Sequence, residues 1–441
     1  MLTATDVKKI AKDEDIHYLR MSFTDALGAF KNIEIPIALL DDALNNEIKI
    51  DGSSIAGFLP IEHADMYLQP DPSTFVIYPW TEGTDKTAAM ICDVYNVDGT
   101  PYAGDPRGIL HKNLDEVKKM GFDALNIGAE PEFFLFKRDE NGQPTMTVND
   151  DAFYFDTEPK DAGEACRRDI TNVLTAMGFS IEAAHHEAAA GQHEIDFRFD
   201  DALHTADKIQ YFKLVVREIA KKHGLAATFM PKPITGINGS GMHLNQSLFN
   251  GQTNAFDDPN GTKGLSKTAL HYLAGLLKHA PAFTAVANPT INSYKRLVPG
   301  YEAPTYIAWA TDNRTPLVRI PAGRGKVARL ELRSGDPSAN PYIFIAAILA
   351  AGTDGIENKL DAPAPVERNI YKMNAAERDK AQITELPGSL DQAIANLEND
   401  PILVHALGST FVEFFAGFKK QELLEYKTNV TTWEHKHYFN A

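Results

Sequence analysis

Two glutamates stand in the middle of a segment that otherwise reads as a buried strand, and this constrains the chain more than any other feature. Residues 126–136 run NIGAEPEFFLF. At the two-residue period of a strand, Glu130 and Glu132 share a face with Phe134 and Phe136, so two carboxylates enter an apolar element. Something must neutralise them, unless the segment is an edge strand whose glutamates are solvated. Pro131 between them has no N–H to give to a ladder. Together with several short strands separated by long helices, it points to an α+β architecture with an antiparallel sheet and not to a doubly wound parallel one.

Helix signals place the other elements. Residues 1–100 mix one short helix near 4–13 with strand-like alternation at 33–37 (IEIPI) and 74–78 (TFVIY), the pattern of a small α+β unit. The stretch 98–108 holds three glycines and two prolines and separates it from the rest, giving expected domains at 1–103 and 104–441. Asp105 then offers an N-cap, Pro106 a first helical position, and Leu110, Leu114 and Val117 an apolar stripe that Gly121 can close. Further amphipathic helices are expected near 161–177, 203–223, 264–286, 338–351 and 408–426, with Gly178 and Gly224 as C-caps.

The chain has 441 residues with 43 Lys+Arg against 60 Asp+Glu, a formal charge of −17. A balance this acidic argues against a general binder of nucleic acid or anionic membrane. Two cysteines exclude a disulfide framework and a zinc–thiolate cage and fit a reducing cytoplasm. The opening residues are polar from Lys8 onward, unlike a secretion signal, and the longest apolar run (342–352) is about half a membrane span. A soluble cytoplasmic protein is expected.

Charge is distributed unevenly. Positions 295–333 carry eight Lys/Arg against three acids, a local excess of five positive charges, so any polyanion is expected there. Within it, Arg329, Glu331 and Arg333 alternate with leucines on one strand face, and arginine forks match phosphate and carboxylate oxygens. A salt-bridged exposed strand would show the same alternation. In 182–199 (EAAHHEAAAGQHEIDFRF) a Gly-containing turn separates Glu187 from Glu194, and Glu194, Asp196 and Arg198 then share a face. The two histidines at 185 and 186 also fit a helix end, and the whole could be a turn into a half-exposed strand. In 238–248 (NGSGMHLNQSL) two glycines permit close backbone approach, and His243, Asn245 and Ser247 point to one side, although a single histidine there also fits a core.

Five glutamates (Glu130, Glu132, Glu187, Glu194, Glu331) and His243 are thus candidates for one site. Two carboxylates ~5 Å apart repel by roughly 3 kcal/mol at an effective dielectric of ~20, and divalent cations remove that cost. Oxygen ligands with one imidazole and no thiolate suit Mg²⁺ or Mn²⁺, two per site, better than zinc or copper. The segment GTKGLSKT at 261–268 lacks the second P-loop glycine and reads as a helix start, and no G-x-G-x-x-G follows a strand. Two loops complete the picture: DGSSIAGF at 51–58, carrying Asp51, and the Pro- and Gly-punctuated NPTINSYKRLVPGYEAP at 288–304, a candidate flap with Arg296 and Glu302.

Six segments in order, DGSSIAGF, AEPEFFLF, HHEAAAGQHEIDF, NGSGMHLNQSL, NPTINSYKRLVPGYEAP and RLELRSGDPSANPY, closely resemble glutamine synthetases of the bacterial type I family, in its shorter, Gram-positive-like branch. The resemblance implies a small N-terminal β-grasp domain and a larger catalytic domain with a curved antiparallel sheet and flanking helices. It implies a cytoplasmic homo-dodecamer of two hexameric rings, with each site shared between neighbours. The implied activity is ATP-dependent ligation of ammonia to the γ-carboxylate of L-glutamate through γ-glutamyl phosphate. Motif by motif, it makes Glu132, Glu187 and Glu194 ligands of the metal nearer glutamate, and Glu130, His243 and Glu331 ligands of the metal nearer the phosphates. Asn238, Gly239, Arg296 and Arg333 correspond to the glutamate-binding set. Glu182, Asn245, Ser247, Arg314 and Arg319 correspond to the nucleotide set, with Lys326 and Arg329 near the phosphates. Arg314 contacts the transferring group, Asp51 from an adjacent subunit deprotonates ammonium, and Glu302 closes the site.

Two positions depart from the family pattern. Asn245 stands where many relatives have His, and Pro60 where the glutamine-inhibited branch often has Arg, which leaves feedback control open. Tyr371 has the wrong flank for the family's adenylylated tyrosine and is expected to stay unmodified. Three alternatives remain: a ligase for a larger amine, a catalytically inactive relative with a structural or regulatory role, and an enzyme that also binds a nitrogen-regulator protein. The presence of Asp51 favours ammonia over the larger amine.

Overall fold

The structure, a computed structural model, describes residues 2–59 and 64–441; Pro60 lies outside the described residues. The chain opens with the helix Ala4–Asp13, whose N-cap Thr3 and third residue Asp6 bond each other's backbone N–H reciprocally. It packs on a sheet in the spatial order Phe30–Pro36, Tyr18–Thr24, Thr87–Asn96, Asp65–Pro70, Lys49–Asp51. Tyr18–Thr24 and Thr87–Asn96 run parallel and the remaining pairs antiparallel, which makes this unit a β-grasp domain. The strand expected at 74–78 shrinks to Val76–Ile77, because the Asp71 side chain accepts from Ser73 N–H and winds Pro72–Thr74 into a 3-10 turn.

The larger domain is built around the long strand Ala124–Arg138. Its sheet has eleven strands among the described residues. The main path runs Trp309–Ala310, Val318–Arg319, Leu330–Leu332, Met242–Asn250, Ala124–Arg138, Gln192–Phe197, Ile181–His186. All neighbours along it are antiparallel except the two-residue pair at the Trp309 end, in keeping with the expected curved antiparallel sheet. Ala124–Arg138 is the central strand, so its glutamates do not sit on an edge. Pro131 marks a change of neighbours: up to it the strand pairs with Met242–Phe249, and from Glu132 to Phe134 it pairs with Gln192–Glu194. The missing N–H falls where one ladder ends and the other begins.

Helices Pro106–Lys119, Glu164–Ala176, Ala202–Lys222, Lys267–Ala287, Pro341–Glu357 and Ser409–Thr428 surround the sheet. Pro341–Glu357 is apolar on all sides and is accordingly buried along nearly its whole length. Its crossing with Lys267–Ala287 needs glycine twice. A Cβ on Gly275 would stand 2.0 Å from the Ala351 carbonyl oxygen, and one on Gly355 2.0 Å from that of His271. Helices Leu390–Glu398 and Pro401–Leu407, absent from the sequence reading, pack beside them. No single helix among the described residues is long and apolar enough to cross a membrane.

Arg107, 2% exposed at its side chain, ties the β-grasp sheet to the helices Ala202–Lys222 and Pro341–Glu357. It forms a two-pronged pair with Asp207 at 3.0 Å and single bonds of 2.8 Å to Asp93 and Asp71, while Tyr342 donates to Asp207 at 2.7 Å.

Candidate active site

The central strand and its neighbours bring the predicted carboxylates together through register. Glu130 faces His243, Glu132 faces Glu194, Glu194 faces His185, and Glu331 stands opposite both Asn245 and Arg319. They line a cavity of about 700 Å³ that also receives Asp196, Glu302, Arg314, Arg319, Arg333 and Tyr371. Of four groups among the described residues with spacings that would hold a cation, two are here: Glu130, His243 and Glu331, and His185, Glu187 and Glu194, each with ligand atoms within 4.8 Å of one another. The first is the trio expected for the phosphate-side metal. In the second, His185 stands where Glu132 was expected. Glu132 is engaged elsewhere, its Oε2 accepting from Gln192 Nε2 at 2.6 Å and from Gly241 N–H at 2.9 Å.

The electrostatics are those of a crowded acidic cluster. Burial pushes the Glu187 carboxyl up to about 8, with Glu132 adding to it. Burial, and then Glu132, raises Glu194 well above the usual range, while burial and the charge of Glu130 bring Asp196 to about 7. For Glu130, burial also raises the carboxyl, but the hydrogen bond and charge of His243 and the amide of Asn245 more than reverse it and hold it down at about 2. One buried Asp196 oxygen has no partner among the described residues. Buried carboxylates with orphaned oxygens, one imidazole per group and no thiolate form a donor set that fits two hard divalent ions.

Cations line the site as well. Arg319 and Arg333 both reach Glu331, Arg333 through Nε at 3.2 Å, and Arg314 is exposed at the rim. Arg296 is buried, donates to the Ser334 carbonyl at 2.7 Å and has its guanidinium pushed down by burial. Gly241 is where these groups converge: a Cβ there would lie 2.7 Å from Arg296 Nη2 and 3.2 Å from both Glu132 Oε1 and His243 Nε2.

Two smaller cavities adjoin. One, about 30 Å³, is lined by Asn238, Gly239, Arg296 and Arg333 with Glu132 and Glu302. The other, about 350 Å³, takes Glu182, Asn245, Ser247, Lys326 and Arg329 and meets the main cavity at Glu130 and Asp196. Arg329 Nε donates to Asn245 Oδ1 at 2.9 Å, and Asn245 Nδ2 to Glu130 at 2.7 Å, so the two cavities share a polar wall.

Asp51 is the one predicted site residue that lies apart. It ends the strand Lys49–Asp51, is exposed, and accepts from Ser53 N–H. Glu302 has φ +66°, a left-handed conformation for a non-glycine residue, in the loop over the cavity. The next carbonyl, of Ala303, accepts from the Tyr371 hydroxyl at 2.8 Å. His185, Gln192 and Tyr371 escaped the sequence reading as site residues. Asp196 was visible there by its alternation with Glu194.

A β-grasp sheet beside a curved antiparallel sheet, with two acidic groups spaced to hold cations and arginines in the same cavity, is the arrangement of an enzyme of phosphate or carboxylate chemistry. Comparison with known proteins narrows this. The glutamine synthetase catalytic-domain model matches residues 103–438 and the glutamine synthetase beta-grasp model residues 15–97. The chain is 55% identical over 436 residues to glutamine synthetases of Staphylococcus aureus strain MW2 and of Staphylococcus epidermidis, covering 99% of this chain and 98% of each relative. Among solved structures, the GmaS/ADP complex superposes with a TM-score of 0.90 at 34% identity, over 99% of this chain and 100% of that one. Plasmodium falciparum glutamine synthetase superposes at 0.88 and 25% identity, over 99% of both chains. The chain belongs to the glutamine synthetase family.

Proposed function

We propose that this chain ligates ammonia to the γ-carboxylate of L-glutamate at the expense of ATP, giving L-glutamine, ADP and phosphate. The observation that carries the reading is the convergence of Glu130, His243, Glu331, Glu187 and Glu194 on one cavity that Arg314, Arg319 and Arg333 also line. The same convergence weighs against an inactive scaffold. Glu130, His243 and Glu331 would hold one Mg²⁺ or Mn²⁺, and Glu187 and Glu194, with Glu132 and His185 beside them, a second. When bound, the ions supply Lewis-acid charge against phosphate and carboxylate oxygens.

The protein's own residues divide the remaining work. Nucleotide occupies the cavity of Glu182, Asn245, Ser247, Lys326 and Arg329, and the structurally similar GmaS, a complex with ADP, supports a nucleotide as ligand. Glutamate binds between Arg296 and Arg333, against Asn238 and Gly239. Its side-chain carboxylate attacks the γ-phosphorus, ADP departs, and Arg314 and Arg319 stabilise charge on the transferring group. Ammonia then displaces phosphate. Asp51 accepts the ammonium proton, and Glu302 closes the site against water.

Asp51 does this for a neighbour: it is exposed, lines none of the cavities described above, and belongs to the domain we bound at 1–103, with the catalytic domain at 104–441. A dodecamer of two stacked hexamers would supply that neighbour. Cys92 and Cys166 are free and buried, with burial raising both thiols, which suits a cytoplasmic protein. The test is product analysis with glutamate, ATP and Mg²⁺, first with ammonium and then with a small primary amine. Glutamine from ammonium is expected, and a product formed only from the amine would replace this reading. Asp51→Ala should impair ammonium use far more than hydroxylamine use; equal losses would remove its assignment as base.

A further inference from the structure

Behind the glutamate-binding segment, between the β-grasp sheet and the helix Ala202–Lys222, lies a separate cavity of about 590 Å³. Arg20, Lys213 and Arg217 line it, and no carboxylate does so among the described residues. In a chain of formal charge −17 that imbalance is a signal. Lys213 and Arg217 lie one helical turn apart and so on one face. Lys213 is 6% exposed, and its ammonium makes one bond, to the Ala339 carbonyl at 3.2 Å. Arg217 is exposed at the cavity mouth, its guanidinium lying 5.0 Å over the Phe229 ring with no hydrogen-bond or carboxylate partner among the described residues. Arg20 is held at the rim by exposed Glu34 at 2.8 Å. The buried acid nearby, Asp336, accepts from Asn288 and from Ser338 N–H, and its charge favours the Lys213 ammonium without lining the cavity. Burial and the neighbouring Arg217 push the Lys213 ammonium down to about 7 against the opposing charge of Asp336, and an anion in the cavity would favour its charged form.

The far wall of this cavity touches the active site. Pro231 and Asn292 line it. The Pro231 carbonyl accepts from Ser240 N–H at 2.9 Å and stands 2.1 Å from where a Gly239 Cβ would be. Asn292 and Lys232 exchange side-chain and backbone hydrogen bonds of 2.7 and 3.0 Å, and the Lys232 ammonium lies 3.6 Å from the centroid of the Tyr301 ring, next to Glu302.

We propose that the Lys213–Arg217 cavity is a second anion site, taking a small oxyanion with two negative charges, and that its occupancy adjusts the glutamate pocket through Pro231 and Asn292. The binding claim stands on this cavity alone; the adjustment of glutamate affinity rests on the function proposed above.

Calorimetric titration of the full-length protein with inorganic phosphate and, separately, succinate tests it. At least one should bind in a step that Arg217→Gln and Lys213→Met weaken about tenfold or more, as expected for loss of a charge-assisted contact. Phosphate alone would mark a phosphate-type ligand, and succinate alone a dicarboxylate. In crystals soaked with tungstate, anomalous density should lie beside Lys213 and Arg217. The ligand that binds should shift the glutamate KM of the wild type but not that of Arg217→Gln, while kcat at saturating substrates stays the same in both. Equal binding by all three proteins, no binding of either anion, or a carboxylate from a second copy filling the cavity would overturn the proposal. Absence of ligase activity would refute the function and leave the calorimetric result to decide the site.

Discussion

A single hydroxyl, that of Tyr371, fastens the loop carrying Glu302 by donating to the Ala303 carbonyl. Tyr371→Phe keeps the ring and removes that donor, so the loop should open more often and water should reach the acyl phosphate. The expected outcome is less glutamine per ATP consumed, with the melting temperature shifted by a few degrees at most for a lost bond of about 1 kcal/mol; an unchanged ratio would remove the anchoring role. The carboxylates themselves make a pH prediction. Glu187, Glu194 and Asp196 hold protons to higher pH than in the unfolded chain. Folded protein without metal therefore binds extra protons between about pH 4.5 and 8, and its stability falls as pH rises through that window. Glu130 works in the opposite sense, contributing stability above its unfolded value that is lost as pH falls toward about 2. A divalent ion must displace the protons on Glu187 and Glu194, so thermal stabilisation by Mg²⁺ or Mn²⁺ should be larger at pH 8 than at pH 6. Equal stabilisation at both would contradict the assignment of these carboxylates as ligands.

Among the elements, the helix Pro106–Lys119 begins within the charge cluster that joins the β-grasp sheet to the helices of the larger domain. Arg107→Met would leave buried Asp207 without its cation beside half-buried Asp93 and Asp71, and a cost of about 3–5 kcal/mol is expected in urea unfolding. A loss below about 1 kcal/mol would show that the cluster does not join the domains. This helix was legible because its cap, first-turn proline and closing glycine are all local. Pro401–Leu407 has a similar Asp-Pro start but only seven residues, too few for a period to emerge. The site was legible to the same depth. Alternation placed Glu194 with Asp196 and Glu331 between two arginines, because a strand's period is local. Pairing is not: that His185 would stand opposite Glu194 depends on which strands become neighbours, and EAAHH, taken alone, fits a helix end as well as the strand it forms. Likewise, nothing local could show that Gln192 and the Gly241 N–H would occupy Glu132.

For the whole molecule, the proposed role of Asp51 in a neighbour's site would make assembly part of the chemistry. If it serves a neighbour, Asp51→Ala and Arg314→Ala subunits are each inactive alone, yet co-assembled at random in a ring they should restore activity at about a quarter of the sites. No restoration would place both residues in one subunit's site. The central claim is that Glu130, His243 and Glu331, with Glu187 and Glu194, hold divalent ions in the cavity that the arginines also line. Its most direct measurement is glutamine formed per ATP consumed, before and after chelation. The account predicts a ratio near one with glutamate, ammonium and Mg²⁺, loss of turnover in excess chelator, and recovery on adding Mg²⁺ or Mn²⁺. Undiminished turnover in chelator would contradict it.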